Sequence, residues 1–351
     1  MQEVGAGIGI GANGMYALTK LGAAAAVRAA GSPVERVELR AQDGTVLSAL
    51  STGPTERKLG VATTLVHRAD LHAALAARLD SDSVRLGSEC AGFSQDDTGV
   101  TAQFADGGEA RGALLIGADG LYSTVRRQLW GDVPPRYAGY TSCRGIVDSD
   151  TIALQVGTGF EAWGRGLRFG LFHIGKGRAY WYATWNAPAG ESQSGQPLKR
   201  RLQDFFADWA APVPQALDAT PAETLVRTDI CDRPQLSRWG LDRVSLLGDA
   251  AHPTTPNLGQ GACMAIEDAV VLAQCLSHQS DPVAALRTYE GRRRARTANI
   301  VSASRRMGWI GQWQNPLACA LRNTALRLTP QRLAQSRGDG GLRAAVRNLD
   351  P

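Results

Sequence analysis

Leu246-Leu247-Gly248-Asp249-Ala250-Ala251-His252-Pro253, continued by Pro256-Asn257-Leu258-Gly259-Gln260-Gly261 and closed by Glu267-Asp268-Ala269, carries the strongest structural signal in the chain. Val244-Ser245-Leu246-Leu247 is a continuous apolar run suited to a strand covered on both faces. It ends in a small-residue turn bearing one carboxylate, Asp249, placed at a strand's carboxyl end to accept hydrogen bonds from a polyol. A Gly-rich loop then opens a long helix. The amides of Gly259, Gln260, Gly261, Ala262 and Cys263 begin it, so its positive dipole end can face an anionic group. Gly259 and Gly261 lack side chains, which lets a flat ring approach the backbone. A tight βα turn whose glycines serve only geometry is the plainer reading of these residues alone.

Upstream, a second apolar run, Ala113-Leu114-Leu115-Ile116, leads into Gly117-Ala118-Asp119-Gly120 and on to Ser123, Val125 and Arg126. It too reads as a strand covered on both faces. Before it, the pattern predicts a helix over residues 13–30 closed by Gly31, and a hairpin of Val37–Leu39 with Val46–Leu50 around Asp43-Gly44. A second helix is expected after Asp70 as N-cap, with Leu71, Leu75 and Leu79 as its buried stripe, then strands over Val84–Glu89 and Val100–Phe104. Between the two apolar runs the habit changes. Gly166–Ile174 and Ala179–Trp185 are aromatic-rich β pieces, and a Pro/Ala-rich connection spans Pro212–Pro221. That composition predicts a separate sheet inserted between two halves of an α/β domain. From Gly259 onward the chain is largely helical, with breaks at Asn315-Pro316 and Pro330.

The chain has 351 residues, is 44% hydrophobic and 20% charged, and so has the make-up of a folded protein with a sizeable core. Its net charge of +5 owes much to Arg287, Arg292, Arg293, Arg294, Arg296, Arg305 and Arg306. Such a cluster could meet nucleic acid or an anionic membrane; with no nucleic-acid motif beside it, it reads as a solvated helical face. Six scattered cysteines without a C-x-x-C pair exclude a disulfide framework or zinc site as leading ideas. No metal-ligand cluster and no nucleophile elbow is present, and no stretch suits a membrane span. A cytoplasmic protein acting on a small molecule, as monomer or homodimer and without nucleic acid, is the expectation.

Gly248-Asp249 through Asp268 resembles the GD motif of group A flavoprotein monooxygenases, the aromatic-hydroxylase family. Leu115 to Gly120 with Ser123, Val125 and Arg126 resembles that family's DG motif, where Asp119-Gly120 would serve both FAD and the incoming NAD(P)H. Arg68, in His67-Arg68-Ala69-Asp70-Leu71, matches the arginine that opens a helix and contacts the flavin, and Cys90 falls on the strand whose backbone meets the adenine. The resemblance covers nearly the whole chain and lies nearest the urate hydroxylase and zeaxanthin epoxidase branch. It implies an α/β fold: a Rossmann-like FAD-binding domain (1–36, 61–135 and 239–301), an interleaved substrate-binding sheet domain (37–60 and 136–238) and a C-terminal helical segment (302–351).

Against that template the literal G-x-G-x-x-G of Gly9, Gly11 and Gly14 is a decoy. The fingerprint needs a strand before its glycines, and Gly5 and Gly7 interrupt one here. Glu3-Val4-Gly5-Ala6-Gly7-Ile8-Gly9 instead resembles the family's segment after its second strand, with Gly9 near the FAD ribose and phosphates. The family's own G-x-G-x-x-G would stand about thirty residues upstream, so the first β-α unit is expected to be missing and FAD binding weak.

Arg168, Tyr180, Tyr182 and Trp185 are candidates to line the substrate pocket, and Arg168 and Tyr180 fall where urate-hydroxylase-type members hold substrate. Asn257 replaces the acidic residue expected there, which counts against a purine. His173 and His252 invite a general-base role, His252 more readily one of positioning its loop. No catalytic protein residue is required: the resemblance implies that NAD(P)H reduces FAD and that a flavin C4a-hydroperoxide hydroxylates or epoxidises the substrate. The alternatives are a flavin-binding protein without turnover and a flavin oxidoreductase that inserts no oxygen.

Overall fold

The structure is a computed structural model that describes residues 6–51 and 53–350; Glu3, Val4 and Gly5 of the opening motif lie outside the described residues. The chain starts with β1 (Gly7–Ile10), α1 (Ala12–Lys20), α2 (Ala24–Ala30) and β2 (Ser32–Pro33). The hairpin β3 (Arg36–Ala41) and β4 (Val46–Ser51) precedes α3 (Pro54–Leu59), β5 (Thr64–His67) and α4 (Arg68–Ala76). Next come β6 (Cys90–Gln95), β7 (Val100–Phe104), β8 (Glu109–Gly112), β9 (Leu115–Gly117) and α5 (Thr124–Trp130). The middle holds β10 (Arg136–Asp148), β11 (Thr158–Trp163), β12 (Leu167–Gly175), β13 (Arg178–Asn186), α6 (Gly195–Phe206), α7 (Val213–Ala219) and β14 (Val226–Asp232). The chain ends with β15 (Val244–Leu246), α8 (Gly261–His278), α9 (Pro282–Gly311), α10 (Pro316–Leu328) and α11 (Gln331–Leu349).

A seven-stranded sheet, ordered β14-β10-β13-β12-β11-β3-β4, dominates the fold. Parity along β13 sorts its two faces. Ala179, Trp181, Ala183 and Trp185 point into a core completed by Leu198, Leu202 and Phe206 of α6 and Ala216 and Leu217 of α7. Trp181 stacks on Phe169 at 5.4 Å and donates its indole N–H to Thr220 at 2.7 Å, so the largest buried ring is also polar-satisfied. Tyr180, Tyr182, Thr184 and Asn186 take the other face, which β1 and β5 cover in part. Trp185 is therefore a core residue and not a pocket residue, because it has the opposite parity to Tyr180 and Tyr182.

Several local expectations are corrected. The helix over 13–30 is two helices, broken where Gly22 adopts φ +69°. The α4 N-cap is His67, whose ring accepts from the Ala69 amide, while Asp70 sits in the first turn; Leu79 is 58% exposed, so the leucine stripe stops short of it. Residues 84–89 form no strand, since β6 begins at Cys90. β9 is only half-buried, and the Pro212–Pro221 connection contains α7. The apolar run of β15 is buried throughout and pairs in parallel with β9, Leu246 opposite Gly117.

A strand does precede the literal G-x-G-x-x-G. β1 forms despite its glycines because it pairs antiparallel with β5, and Gly7 is needed there because the Tyr180 ring fills the space a Cβ would take. β1 lies in a different sheet from the parallel β9–β15 pair, so the turn after it is no dinucleotide turn. Its glycines serve packing. A Cβ on Gly14 would stand 3.0 Å from Cys263 Sγ, and the Gly11 amide donates to the same sulfur at 3.2 Å, so α1 and α8 touch through these positions.

Candidate functional site

Two turns, far apart in sequence, are joined through Arg126. After β15, Gly248 turns the chain with φ +61° and its amide donates to Asp268 Oδ2 at 3.1 Å. After β9, Gly120 turns with φ +79°, with no atom within 4 Å of where a Cβ would stand. The Asp119 carboxylate is already engaged: it accepts from Ser123 Oγ at 2.5 Å and from the Thr124 and Val125 amides, capping α5. Arg126 ties the two turns together. Buried, it donates through Nη1 to the Ala250 and Ala251 carbonyls and through Nη2 to Pro234. Burial, then the nearby Arg233 charge, push its pKa down to about 10.

Asp249 projects from the GD turn into a recess. Desolvation raises its pKa, while His252 and Arg68 oppose the rise. Arg68 opens α4 and is exposed. The sequence names both residues as cofactor contacts, and the fold brings the Arg68 charge within electrostatic reach of the Asp249 carboxylate. Cys90, at the start of β6, lies close enough to Asp119 for that charge to add to the desolvation that raises its thiol pKa.

The loop after the GD turn ends at the N-terminus of α8. Gly259 is left-handed at φ +60° with open space where its Cβ would be. α8 has no side-chain cap and no acidic residue in its first turn, so the amides of Gly261, Ala262 and Cys263 are free of an intrahelical acceptor and face no competing carboxylate. Gln260 accepts from Asn13 Nδ2 at 2.9 Å, which fixes the turn to α1. Cys263 contributes only its amide on that side, because its thiol is buried against Gly11 and burial pushes it up to about 12. An uncapped helix end, an unobstructed glycine and the Arg68–Asp249 recess fit a flat, anionic cofactor with a polyol arm.

Asn257 faces the other way. Its Oδ1 accepts from Arg168 Nη1 at 2.6 Å, and its Nδ2 donates to Tyr140 Oη, Thr255 Oγ1 and the Ser304 carbonyl, each at 2.9 Å. Arg168, 2% exposed, also pairs with Glu161 and lies over Trp163. Tyr182 stands beside Glu161 and Arg168; burial, reinforced by the Glu161 charge, raises its phenol pKa well above the ordinary value. Tyr180 lies 6.2 Å from Tyr182, ring to ring, but is covered by β1. His173 points to the opposite face, where Nε2 meets the Leu154 carbonyl at 2.9 Å. Pro256, next to Asn257, is exposed on the loop.

Sequence reasoning missed Glu161, Tyr140 and the role of the α9 arginines. Glu161 gives no signal on its own; period-two pairing of β11 with β12 would have found it. The arginines are only in part a solvated face: Arg294 and Arg306 are exposed, the others are turned inward or paired. Arg293 is fully buried between Glu267 and Asp268, and Arg296 grips Glu267 bidentately at 2.9 Å. Asp268 in turn holds His252 Nε2 at 2.6 Å, so His252 positions the loop. A cleft of about 950 Å³ opens beside this site between β10 and α9, walled by Trp309, Trp313 and Val301. Arg168, Tyr180, Tyr182 and Asn257 do not line it; Tyr140 and Thr255 of its wall bond Asn257.

A family model described as "FAD binding domain" matches residues 5–304. The chain is 42% identical over 326 residues to an aurachin C monooxygenase/isomerase of Stigmatella aurantiaca, covering 93% of this chain and 85% of that one. It is 36% identical over 309 residues to an FAD-dependent urate hydroxylase of Klebsiella pneumoniae, covering 87% and 80%. Its fold matches the crystal structure of Klebsiella pneumoniae HpxO complexed with FAD and uric acid at TM-score 0.91 and 32% identity, covering 98% of this chain and 89% of that one.

Proposed function

This chain belongs to the FAD binding domain family and, within it, to the FAD-dependent monooxygenases; on that premise we propose that it uses NAD(P)H and O2 to place one oxygen atom on a heteroaromatic ring. One observation supports the reading above the others. A single turn of chain separates the two halves of the site: Asn257 binds the sheet through Arg168, and Gly259, two residues on, leaves open space at the helix end.

Bound FAD supplies two-electron exchange with NAD(P)H and the activation of O2. The chain's residues do the holding. Asp249 and Arg68 would bind the polyol and flavin side, and the Gly261–Cys263 amides would favour negative charge on the ring. Gly9, Gln260, Cys90 and the Asp119-Gly120 turn would border the rest of the cofactor groove. Pro256 to Leu258 would cover the ring and exclude water.

The seven-stranded sheet would bring Arg168 and Tyr182, and the loop before α8 would bring Asn257, to the substrate side, with Tyr180 beneath them. Asn257 is neutral and bonded through both its oxygen and its amide, and the buried Arg168 is neutralised by Glu161, so neither offers a free carboxylate to a ring. That counts against a purine that needs a carboxylate partner. On this reading 1–36, 61–135 and 239–301 form the FAD side, 37–60 and 136–238 the substrate side and 302–351 a helical cover. The protein would work in a reducing cytoplasm as a monomer or homodimer, without nucleic acid.

The test is NADPH consumption by the FAD-loaded chain with quinolone and other heteroaromatic substrates, reading oxygenated product against hydrogen peroxide. Product formed in step with NADPH supports the proposal. Peroxide alone with every ring assigns the chain to flavin oxidation without oxygen insertion.

A further inference from the structure

Helix α10 is built inside out. Its inner side carries Cys319 and the buried guanidinium of Arg322, which donates to the Ile310 and Gly311 carbonyls at the end of α9 and to Gly164. Its outer side carries Leu317, Ala320, Leu321, Ala325 and Leu328, spaced as one helical stripe. Leu317, Leu321 and Leu328 are 76%, 71% and 76% exposed. In the last turn of α9, Trp309 is also largely exposed, edge-to-face with Trp313, two residues before the Asn315 cap of α10. A helix that desolvates an arginine and hydrates three leucines is arranged for an apolar surface on its outer side.

Charge identifies the surface. Residues 282–351 hold thirteen arginines against Glu290, Asp339 and Asp350, in a chain whose total is only +5. Some are spent internally, as Arg293 and Arg296 are, but Arg306 beside Trp309 and Arg327 in the last turn of α10 are exposed. A second copy of the chain would bring two arginine-rich faces together around the same stripe, which electrostatics opposes. Nucleic acid would leave the leucines in water. Among the described residues no helix is long and apolar enough to cross a membrane.

We propose that α10 and Trp309 seat this protein on the surface of an anionic lipid bilayer. The leucines enter the headgroup boundary, Trp309 takes the interfacial position that suits its ring, and the arginines face the lipid phosphates. Trp309 also lines the cleft beside the site, so the cleft mouth would lie against the lipid. The proposal stands on α10 and does not depend on which ring is oxygenated.

Co-sedimentation of the full chain with vesicles tests it. The parent chain should pellet with phosphatidylcholine vesicles containing phosphatidylglycerol and remain in solution with phosphatidylcholine alone. A Leu317→Gln, Leu321→Gln double variant, altered only at exposed positions, should keep its far-UV circular dichroism and melting temperature and bind about tenfold more weakly or less. Arg306→Gln and Arg327→Gln should each weaken the anionic binding about fivefold. The proposal is overturned if the parent ignores anionic vesicles, or if the leucine variant binds them equally well. It is overturned equally if sedimentation without lipid shows a parent dimer that the leucine variant dissolves, which would give the face to a second copy.

Discussion

Asp268 and His252 meet at 2.6 Å, Oδ2 to Nε2, with both side chains buried, and the same carboxylate takes the Gly248 amide and Arg293. The GD turn is thus anchored from beneath by a residue twenty positions on from Gly248. Removing the carboxylate leaves the buried Arg293 with Glu267 alone and the buried Gly248 amide without its acceptor. Asp268→Ala should cost about 3–5 kcal/mol, read from urea unfolding.

The same carboxylate sets an acid limit. Desolvation raises its pKa, but His252 and Arg293 outweigh it and hold the group below its ordinary value. A depressed carboxylate stabilises the fold above the unfolded pKa of about 4, and that stability is lost as pH falls through the folded value. The urea midpoint should stay level from neutral pH to about 5 and fall below about 4. Asp268→Asn should start lower and show a shallower acid decline.

Asp249 should behave in the opposite sense. Its pKa is raised, chiefly by desolvation, so ionising it costs more in the folded chain than in the unfolded one. Asp249→Asn is expected to raise the melting temperature of the flavin-free chain while weakening FAD binding about tenfold or more, measured by quenching of flavin fluorescence. A variant that loses both stability and affinity would remove Asp249 from the proposed polyol contact.

At Gly259 backbone and ligand make the same demand. A left-handed φ of +60° costs a non-glycine residue about 1–2 kcal/mol, and the space where a Cβ would stand is open. Gly259→Ala should therefore melt a few degrees lower yet lose FAD affinity by more than that strain explains, a difference visible by titrating the folded variant with FAD.

Arg168 is predicted to act on the substrate side alone. Arg168→Lys keeps the charge but loses the fork shared by Glu161 and Asn257. It should lower kcat/KM about 10- to 100-fold with FAD affinity unchanged. A parallel loss of FAD would show that Arg168 supports the cofactor loop and does not orient the ring.

The turns were legible in the sequence because their requirements are local. Gly248, Gly259 and Gly120 have backbone angles that other residues rarely adopt, and the Asp43-Gly44 hairpin follows from the same chemistry. The inserted sheet was legible from its aromatic strands. What failed was whatever depended on distant partners. Arg293 reads as surface charge until α8 delivers Glu267 and Asp268 to it, and the sequence pattern of α10 does not say which of its sides is buried until Arg322 is seen bonded beneath it. Trp185 failed on parity alone: one residue's shift along β13 moves a side chain from pocket to core. β1 was missed because its glycines weaken a strand in isolation, and only β5 and the Tyr180 ring explain them.

Arg126 holds three carbonyls from two chain segments more than a hundred residues away. Backbone acceptors are indifferent to side-chain identity, so this staple survives almost any substitution in the segments it joins. The proposed substrate side, by contrast, rests on side chains of the sheet. On that proposal a lineage could exchange the residues at 161, 168, 180 and 182 to admit a new ring while the frame around Asp119 and Asp249 stays in register. One scaffold can thus be re-tailored to many small molecules without being re-engineered.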